Sequence, residues 1–270
     1  MELQLHGKRA LVTGSSKGIG EAIARFLAVE GAIVLVHGRD REMTEHVVAS
    51  IVGHGGQAHP VTGDLTDDRA VKRLITAAED IVGSVDILVN NAGGSGPKES
   101  WETTQPSTWA SAYDRNVLAA LRVIARVLPK MRQARWGRIV NISSLAGTMP
   151  PASGPDYSAC KAAMNAMTVS LAKAVAAEGI MANAISPGTI FSPTLEARFR
   201  QFAEERGLGG PDTPWKEIEH AVLPMFAPVP LGRVGQLDDI ANAVAFLASP
   251  LAGYITGVNL RIDGGASPSL

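Results

Sequence analysis

The stretch Thr13-Gly14-Ser15-Ser16-Lys17-Gly18-Ile19-Gly20 decides the fold. It follows a short apolar run at residues 9–13 and precedes a stretch with the apolar periodicity of a helix at residues 19–30. Glycines between a strand and a helix let the backbone turn tightly, and the unpaired N–H groups at the start of the helix attract a pyrophosphate. The spacing G-x-x-x-G-x-G therefore predicts a dinucleotide-binding turn. A glycine-rich turn that binds nothing is the alternative.

Strands and helices alternate through the rest of the chain. The further predicted strands are residues 32–37, 57–61, 86–90, 137–143, 180–185 and 257–262, and the further predicted helices are residues 40–52, 69–82, 107–132 and 157–178. Such alternation favours a parallel sheet with helices on both faces. The predicted fold class is α/β: a single-domain, Rossmann-like, doubly wound parallel sheet of about seven strands flanked by helices.

One excursion interrupts this alternation without dividing the chain. It contains a cluster of prolines: Pro193, Pro211, Pro214, Pro224, Pro228 and Pro230. We predict that residues 1–270 form one domain and that residues 191–230 form a lid with short helices over a substrate. The apolar residues of this segment either line a substrate pocket or pack the lid onto the body. Trp215 is the tryptophan expected nearest to a substrate.

The composition excludes several classes of protein. The 270 residues are 46% hydrophobic, which is enough for a sizeable core and argues against a disordered chain. Lys and Arg number 25 against 26 acidic residues, so the net charge of −1 gives no reason to expect a nucleic-acid partner. No apolar run approaches the roughly 20 residues that span a bilayer. We therefore expect a cytoplasmic protein with no membrane partner.

Cysteine and histidine usage argues against metal and disulfide chemistry. Cys160 is the single cysteine, which excludes an internal disulfide framework and a multi-cysteine zinc site. We interpret it as a small packing residue. His54 and His59 flank two glycines without carboxylates at ligand spacing. No metal site is predicted.

The end of the second predicted strand reads Val36-His37-Gly38-Arg39-Asp40. In dinucleotide sites this position meets the adenosine ribose, where a carboxylate favours NAD and a cation favours the 2′-phosphate of NADP. Arg39 suits bidentate phosphate binding and Lys17 lies in the nearby turn, so NADP(H) is preferred. Asp40 either caps the next helix or binds a ribose hydroxyl. The second role would keep NAD(H) as the alternative.

Tyr157 and Lys161 are four residues apart and share one face of a predicted helix. The reference pKa of a tyrosine, about 10, is too high for efficient proton exchange near neutrality. A nearby ammonium favours the phenolate, so Lys161 is expected to lower the pKa of Tyr157. An ordinary helix pair without a catalytic role is the alternative.

Other polar residues support the catalytic interpretation. Ser144 follows the fifth predicted strand, Asn90-Asn91-Ala92-Gly93 ends the fourth, and Asn116 lies in the helix that comes next. In a doubly wound sheet, ligands gather at the carboxyl ends of the strands. We therefore expect these side chains to lie together at that edge.

These motifs resemble those of the short-chain dehydrogenase/reductase family, in the family's order and over nearly the whole chain. The matching stretches are T-G-x-x-x-G-x-G from Thr13, N-N-A-G from Asn90, the spacing from Ser144 to Y-x-x-x-K, Ser186-Pro187-Gly188 and Asp263-Gly264-Gly265. The resemblance implies four catalytic roles: Tyr157 is the general acid/base, Ser144 hydrogen-bonds the substrate oxygen, Lys161 binds the nicotinamide ribose, and Asn116 holds a water of the proton relay. Asn116 is followed by Val-Leu-Ala, a looser match than the glycine-ending version of this motif.

The resemblance also implies the cofactor contacts. Asp64 and Leu65 would border the adenine, Asn90 and Gly93 the ribose, and Ile190 the carboxamide. The complete predicted cofactor set is Gly14, Ser16, Lys17, Gly18, Ile19, Gly20, Arg39, Asp64, Leu65, Asn90, Ala92, Gly93, Tyr157, Lys161, Pro187, Gly188 and Ile190.

Three functional hypotheses follow. The first is an NADP(H)-dependent oxidoreductase that interconverts a carbonyl and a secondary alcohol by hydride transfer, similar to the 3-oxoacyl-thioester reductases of the family. The second is an NAD-dependent alcohol dehydrogenase that oxidises a sugar or a steroid. The third is a dinucleotide sensor without catalysis, against which the intact Ser144, Tyr157 and Lys161 argue. For assembly, the resemblance implies a homotetramer built through the two long helices and the C-terminal segment.

Overall fold

The structure, a computed structural model, describes residues 2–96 and 100–268. Its strands are β1 (Arg9–Val12), β2 (Ile33–Gly38), β3 (Gln57–Thr62), β4 (Ile87–Asn90), β5 (Gly137–Ile142), β6 (Ile180–Pro187) and β7 (Asn259–Ile262). They form a seven-stranded parallel sheet in the order β3-β2-β1-β4-β5-β6-β7. The order reverses between β1 and β4, and such switch points are where doubly wound sheets bind ligands. The predicted fold class is confirmed.

Helices cover both faces of the sheet. They are α1 (Gly18–Val29), α2 (Arg41–Gly53), α3 (Asp68–Val82), α4 (Pro106–Tyr113), α5 (Ala119–Ala134), α6 (Pro155–Val175), α7 (Pro193–Glu205), α8 (Trp215–Phe226) and α9 (Leu237–Ala248). One apolar cluster joins α1, α2 and α9 to the sheet, and a second joins α3, α5 and α6 to the opposite face.

The alternation of side chains along the central strands fills these two clusters. Leu11 pairs with Leu35 and Val12 with Val36 in the register of β1 and β2. The leucines belong to the cluster under α3 and α5, and the valines belong to the cluster under α1 and α9. Because both faces are covered, the paired stretches Ala10–Val12 and Val34–Val36 are apolar on both sides, as expected for a buried parallel sheet.

The predicted element boundaries agree with the structure except in two places. The predicted helix 107–132 is interrupted by a π-helical turn at Asp114–Leu118, which joins α4 to α5. Helix α9 was not predicted, although a reciprocal capping box between Gln236 and Asp239 marks its start. Within the described residues, every helix is too short or too polar to span a bilayer.

The proline-rich segment carries two helices, α7 and α8. They pack against each other through their own apolar cluster, which includes the fully buried Phe199 and Ile218. This cluster is separate from the two that flank the sheet. Helices α7 and α8 are therefore held together by apolar contacts of their own.

Candidate active site

The glycine-rich turn lies at the carboxyl end of β1, where α1 begins. Lys17 is the N-cap of α1, and its side chain makes no capping hydrogen bond. The first N–H groups of the helix are therefore available to an anion, which the positive end of the helix also attracts. Gly18 has a φ of +59° and open space where a Cβ would lie, whereas a Cβ on Gly14 would lie 2.9 Å from Cα of Ala92. The turn presents backbone rather than side chains to a ligand.

A cavity of about 470 Å³ opens beside this turn, at the ends of β1, β2 and β4. The predicted cofactor residues in its wall are Gly14, Ser16, Lys17, Arg39, Asp64, Leu65, Ala92 and Gly93. The rest of the wall is His37, Gly38, Thr66, Asn91, Ser111, Asp114, Arg115 and Ala119. Free N–H groups at a helix start, together with the cations Lys17, Arg39 and Arg115 in the wall, suit a phosphorylated nucleotide.

The two asparagines at the end of β4, Asn90 and Asn91, have different surroundings. Asn90 is 2% exposed, and its amide donates to Oδ1 of Asn141 at 2.9 Å, inside the sheet rather than into the cavity. Asn91 lines the cavity, and its Nδ2 donates to the carbonyls of Thr13 at 3.0 Å and Gly14 at 2.9 Å. Asn91 thus holds the glycine-rich turn. The sequence reasoning missed it because both asparagines belong to the same motif, and which of them faces the turn depends on the strand register.

The cations at the ribose end are free to meet a phosphate. Lys17 and Arg39 are exposed, and within the part of the chain that the structure describes neither forms an ion pair. Asp40 is the N-cap of α2, and its carboxylate accepts a hydrogen bond of 3.0 Å from the N–H of Met43. The capping role, one of the two alternatives for Asp40, is therefore present in the structure. Asp64 keeps a lowered pKa, chiefly because Thr66 donates to its carboxylate through its backbone N–H and its hydroxyl.

Tyr157 and Ser144 meet where β5 ends and α6 begins. The Tyr157 side chain lies beside the hydroxyl of Ser144, whose Oγ accepts from the N–H of Ala146 at 3.2 Å. Burial raises the pKa of Tyr157 above its ordinary value, and the hydroxyl of Ser144 opposes this rise only in part. The phenol is therefore protonated near neutral pH, which suits a proton donor.

Lys161 lies one helical turn beyond Tyr157, and a backbone carbonyl holds its ammonium. Its Nζ donates to the carbonyl of Ile142 at 2.8 Å and lies 5.5 Å from the centre of the Tyr157 ring. Burial lowers the pKa of Lys161 to about 8. The expected lowering of the pKa of Tyr157 is not what the structure gives, because burial raises this pKa, the interaction with Cys160 adds to the rise, and the Ser144 hydroxyl opposes it only in part.

Asn116 lies in the π-helical turn and is completely buried. Its Oδ1 accepts from the N–H of Gly94 at 2.9 Å, and its Nδ2 donates to the carbonyls of Gly94 at 3.0 Å and Ala112 at 2.9 Å. Both amide hydrogens are therefore occupied. A π-helical turn disturbs the regular ladder of helix carbonyls, so the backbone carbonyl of Asn116 is the better candidate for holding a water.

The residues predicted for the carboxamide end form a second corner after β6. Gly188 donates its N–H to the carbonyl of Ile262 at 2.9 Å, and a Cβ there would lie 2.8 Å from Cα of Asp263. Ile190 forms a parallel bridge with Gly235, which uses the carbonyl of Thr189 and the N–H of Phe191. Since successive peptide groups point to opposite sides of a strand, the N–H and carbonyl of Ile190 face away from this bridge. The Ile190 side chain lines a separate cavity of about 340 Å³.

The remaining candidates have structural surroundings. Cys160 is buried against Ala112 and Val117, and burial raises the pKa of its thiol, so the packing interpretation is supported. Trp215 packs in the apolar cluster of α7 and α8, and its ring centre lies 5.3 Å from that of Phe191 and 5.6 Å from that of Phe199. Among the described residues, no group of three or more His, Cys, Asp or Glu side chains could hold a metal.

Comparison with known proteins identifies the family. The profile of the short chain dehydrogenase family matches residues 8–202. The chain belongs to this family. As a short chain dehydrogenase it is an oxidoreductase that interconverts a carbonyl and an alcohol.

Three relatives of this short chain dehydrogenase are informative. It is 35% identical over 269 residues to the 3-oxoacyl-[acyl-carrier-protein] reductase of Aquifex aeolicus (strain VF5), over 98% of this chain and 99% of that protein. It is 33% identical over 268 residues to the 7α-hydroxysteroid dehydrogenase of Escherichia coli (strain K12), over 99% and 97% of the two chains. The crystal structure of L-sorbose reductase from Gluconobacter frateurii, complexed with NADPH and L-sorbose, matches with a TM-score of 0.91 at 29% identity over 100% of both chains.

Proposed function

We propose that this short chain dehydrogenase is an NADP(H)-dependent carbonyl reductase. The observation that carries the proposal is the placement of Tyr157 beside the hydroxyl of Ser144, on the sheet edge that also carries the glycine-rich turn. The preference for NADP(H) is supported by Lys17 and Arg39 in the cavity wall and by the capping role of Asp40. The sorbose reductase that shares the fold was solved with NADPH bound.

The cofactor site is proposed in two parts. The pyrophosphate would lie at the N–H groups of Gly18, Ile19 and Gly20, with Ser16 and Lys17 beside it. Asp64, Leu65, Ala92 and Gly93 would border the adenosine. Asn90 would not touch the ribose. It would support the site indirectly, because its hydrogen bond to Asn141 links β4 to β5. Pro187, Gly188 and the backbone of Ile190 would hold the carboxamide.

Four residues carry the reaction in this proposal. The nicotinamide, when bound, supplies the hydride. Tyr157 donates its phenolic proton to the substrate oxygen, and the hydroxyl of Ser144 donates a hydrogen bond to the same oxygen as negative charge develops there. The ammonium of Lys161, held by the carbonyl of Ile142, binds the ribose and stabilises the phenolate that remains. Asn116 holds the water of the proton relay through its backbone carbonyl.

The substrate class proposed first is a 3-oxoacyl thioester. The names of the relatives refer to three chemistries, an acyl-carrier-protein thioester, a steroid and a sugar, and each involves a carbonyl or a secondary alcohol. The acyl reductase matches the chain over nearly its whole length at the higher identity of the two curated relatives. We propose that residues 191–230 close over this substrate, with the aromatic cluster around Phe199 as the rigid part of the lid.

We also propose that the protein forms a homotetramer and that it is located in the cytoplasm. The long helices α5 and α6 carry exposed apolar side chains, including Leu121 at 45% and Val169 at 38% exposure. Apolar residues on the outer face of a helix are suited to burial against another subunit. Sedimentation analysis of the wild type and of Val169→Glu would test this face. A tetramer that survives the substitution would contradict its use.

The test of the proposed reaction is the oxidation of NADPH with an acetoacetyl thioester near neutral pH. Turnover by the wild type is expected, with a fall of at least about 100-fold in Tyr157→Phe and little change in NADPH affinity. Tyr254→Phe, which removes the hydroxyl of a fully exposed tyrosine, is the matched control. Loss of NADPH binding in Tyr157→Phe equal to its loss of turnover would contradict the assigned role. Turnover with L-sorbose or with a 7-oxosteroid, and none with the acetoacetyl thioester, would show that the substrate is a sugar or a steroid instead of an acyl thioester.

A further inference from the structure

His37, near the end of β2, contacts both sides of the nucleotide cavity. Its Nδ1 lies 3.0 Å from the backbone N of Gly14, and its Nε2 lies 3.1 Å from the carbonyl O of Gly63. Its own N–H donates to Oγ of Ser15 at 2.9 Å, and its carbonyl accepts from the N–H of Ser15 at 2.8 Å. The residue is 2% exposed. One side chain thus joins the glycine-rich turn after β1 to the end of β3.

The two partners determine which ring nitrogen carries the proton. The N–H of Gly14 can only donate, so Nδ1 of His37 must present its lone pair. The carbonyl of Gly63 can only accept, so Nε2 must carry the hydrogen. Only the neutral Nε2–H tautomer satisfies both contacts. A protonated ring would place a second donor against the N–H of Gly14 and lose that bond.

We propose that neutral His37 is a positioning residue for the cofactor, because it fixes the glycine-rich turn in the conformation that receives the pyrophosphate. The inference rests on the proposed NADP(H) site but concerns a residue that the reaction itself does not use. His37 acts through Gly14, whose peptide would otherwise lack its partner at the floor of the cavity. The other partner of the His37 ring, Gly63, is followed by Asp64, which is proposed to border the adenine. His37 therefore also connects the phosphate end of the site to its adenine end.

The charges around His37 come from the ends of β2 and β3. Burial is the largest influence and lowers the pKa of His37. The bond to Gly63 and the charge of Asp64 oppose this, while the charge of Arg39 adds to it. The ring is therefore neutral near pH 7 and becomes charged only at a pH below the ordinary histidine value of about 6.5. Acidification should weaken cofactor binding by breaking the Gly14 contact.

Three substitutions separate the two hydrogen bonds. In His37→Asn the amide oxygen takes the place of Nδ1 and keeps the contact with Gly14 but does not reach Gly63. In His37→Gln the amide nitrogen takes the place of Nε2 and keeps the contact with Gly63. In His37→Leu both contacts are lost. Circular dichroism and thermal melting verify that each variant is folded.

The measurement is the dissociation constant of NADP⁺, which is stable to acid, between about pH 7.5 and about pH 5. At the higher pH we expect His37→Gln and His37→Leu, which lose the Gly14 contact, to bind about ten- to a hundredfold more weakly than the wild type, and His37→Asn, which keeps that contact, to bind more tightly than either of them. The 2′-phosphate itself titrates near pH 6, about equally in every variant. On acidification the wild type should therefore lose more affinity than His37→Asn.

Two outcomes would overturn the role of His37. One is parallel pH curves for the wild type and His37→Asn, and the other is unchanged affinity in His37→Leu. A wild type that fails to bind NADP⁺ at any pH would overturn the proposed function and this role with it. Nitrogen-15 NMR of labelled histidine reports the tautomer in the wild type without any substitution. A ring that carries its proton on Nδ1 would contradict the assignment even if every variant failed to fold.

Discussion

A Cβ placed on Gly93 would lie 2.6 Å from Oδ1 of Asn116. Gly93 has a φ of +149°, a conformation that other residues rarely adopt, and it borders the cavity proposed for the adenosine. Asn116 in turn is bonded on three sides to Gly94 and Ala112. The floor of the nucleotide cavity and the π-helical turn are therefore packed directly against each other.

The first prediction concerns this contact. Gly93→Ala should weaken NADPH binding and lower the free energy of unfolding by about 2–4 kcal/mol, because it adds a steric clash to backbone strain. Gly94→Ala is the matched control, since Gly94 has a similar φ of +145° but open space around its Cβ position. Urea denaturation and NADPH titration would measure both effects. Equal losses in the two variants would show that the contact with Asn116 is unimportant.

The second prediction concerns the buried ammonium of Lys161. Its pKa is lowered from 10.5 to about 8 in the folded state, so between these pH values the unfolded chain holds more protons than the folded one. The free energy of unfolding therefore rises with pH in this window, by about 3 kcal/mol from this group. Below the window the burial penalty is fully present. Lys161→Met should lack this rise.

Urea denaturation at several pH values would measure this difference. The pKa of Lys161 is about 8 in the folded state and 10.5 as its ordinary value. Between these pH values, the free energy of unfolding should rise more in the wild type than in Lys161→Met. Lys173→Met, which removes an exposed lysine from the same helix, is the control and should keep the wild-type slope. Parallel profiles for the wild type and Lys161→Met would contradict the lowered pKa.

The third prediction tests the cofactor preference. Arg39→Ala should weaken NADPH binding by about ten- to a hundredfold and leave NADH binding nearly unchanged, because the charged hydrogen bonds of Arg39 would reach only the 2′-phosphate. Fluorescence titration with both nucleotides measures the ratio. Arg25→Ala removes the same charge at a site paired with Glu21 and is the control. Equal weakening of NADH and NADPH by Arg39→Ala would place the 2′-phosphate elsewhere.

The fourth prediction concerns the lid. Phe199 is fully buried between Trp215 and Phe226, with ring centres 5.6 and 4.8 Å away, in a cluster formed within residues 191–234. Phe199→Ala should destabilise this cluster by about 3–5 kcal/mol. Limited proteolysis should then cut within α7 and α8 before the sheet opens, and KM should rise more than kcat falls. Leu208→Ala, at a half-exposed site, is the control. If it made α7 and α8 as sensitive to proteolysis as Phe199→Ala does, the separately folded lid would be contradicted.

Much of the fold could be predicted because the signals are local. Strand β1, the glycine-rich turn and α1 are contiguous, so their residue pattern shows both the elements and their junction. The π-helical turn could not be predicted, because the segment around Asn116 has the periodicity of an ordinary helix. Its irregularity comes with the contacts of Asn116 to Gly94, a residue that lies far away in the sequence. Helix α9 went unpredicted although its capping signal was present.

The sequence by itself determined the order of strands and helices, the residue types of the candidate site and the edge of the sheet where they gather. The tertiary structure decided which of those residues face the cavity: Asn91 rather than Asn90, and His37 as the link between two loops. It also decided that the pKa of Tyr157 is raised, because burial depends on what packs around the phenol. The physical reason is that hydrogen-bond partners and desolvation come from residues distant in the chain, which no local pattern specifies.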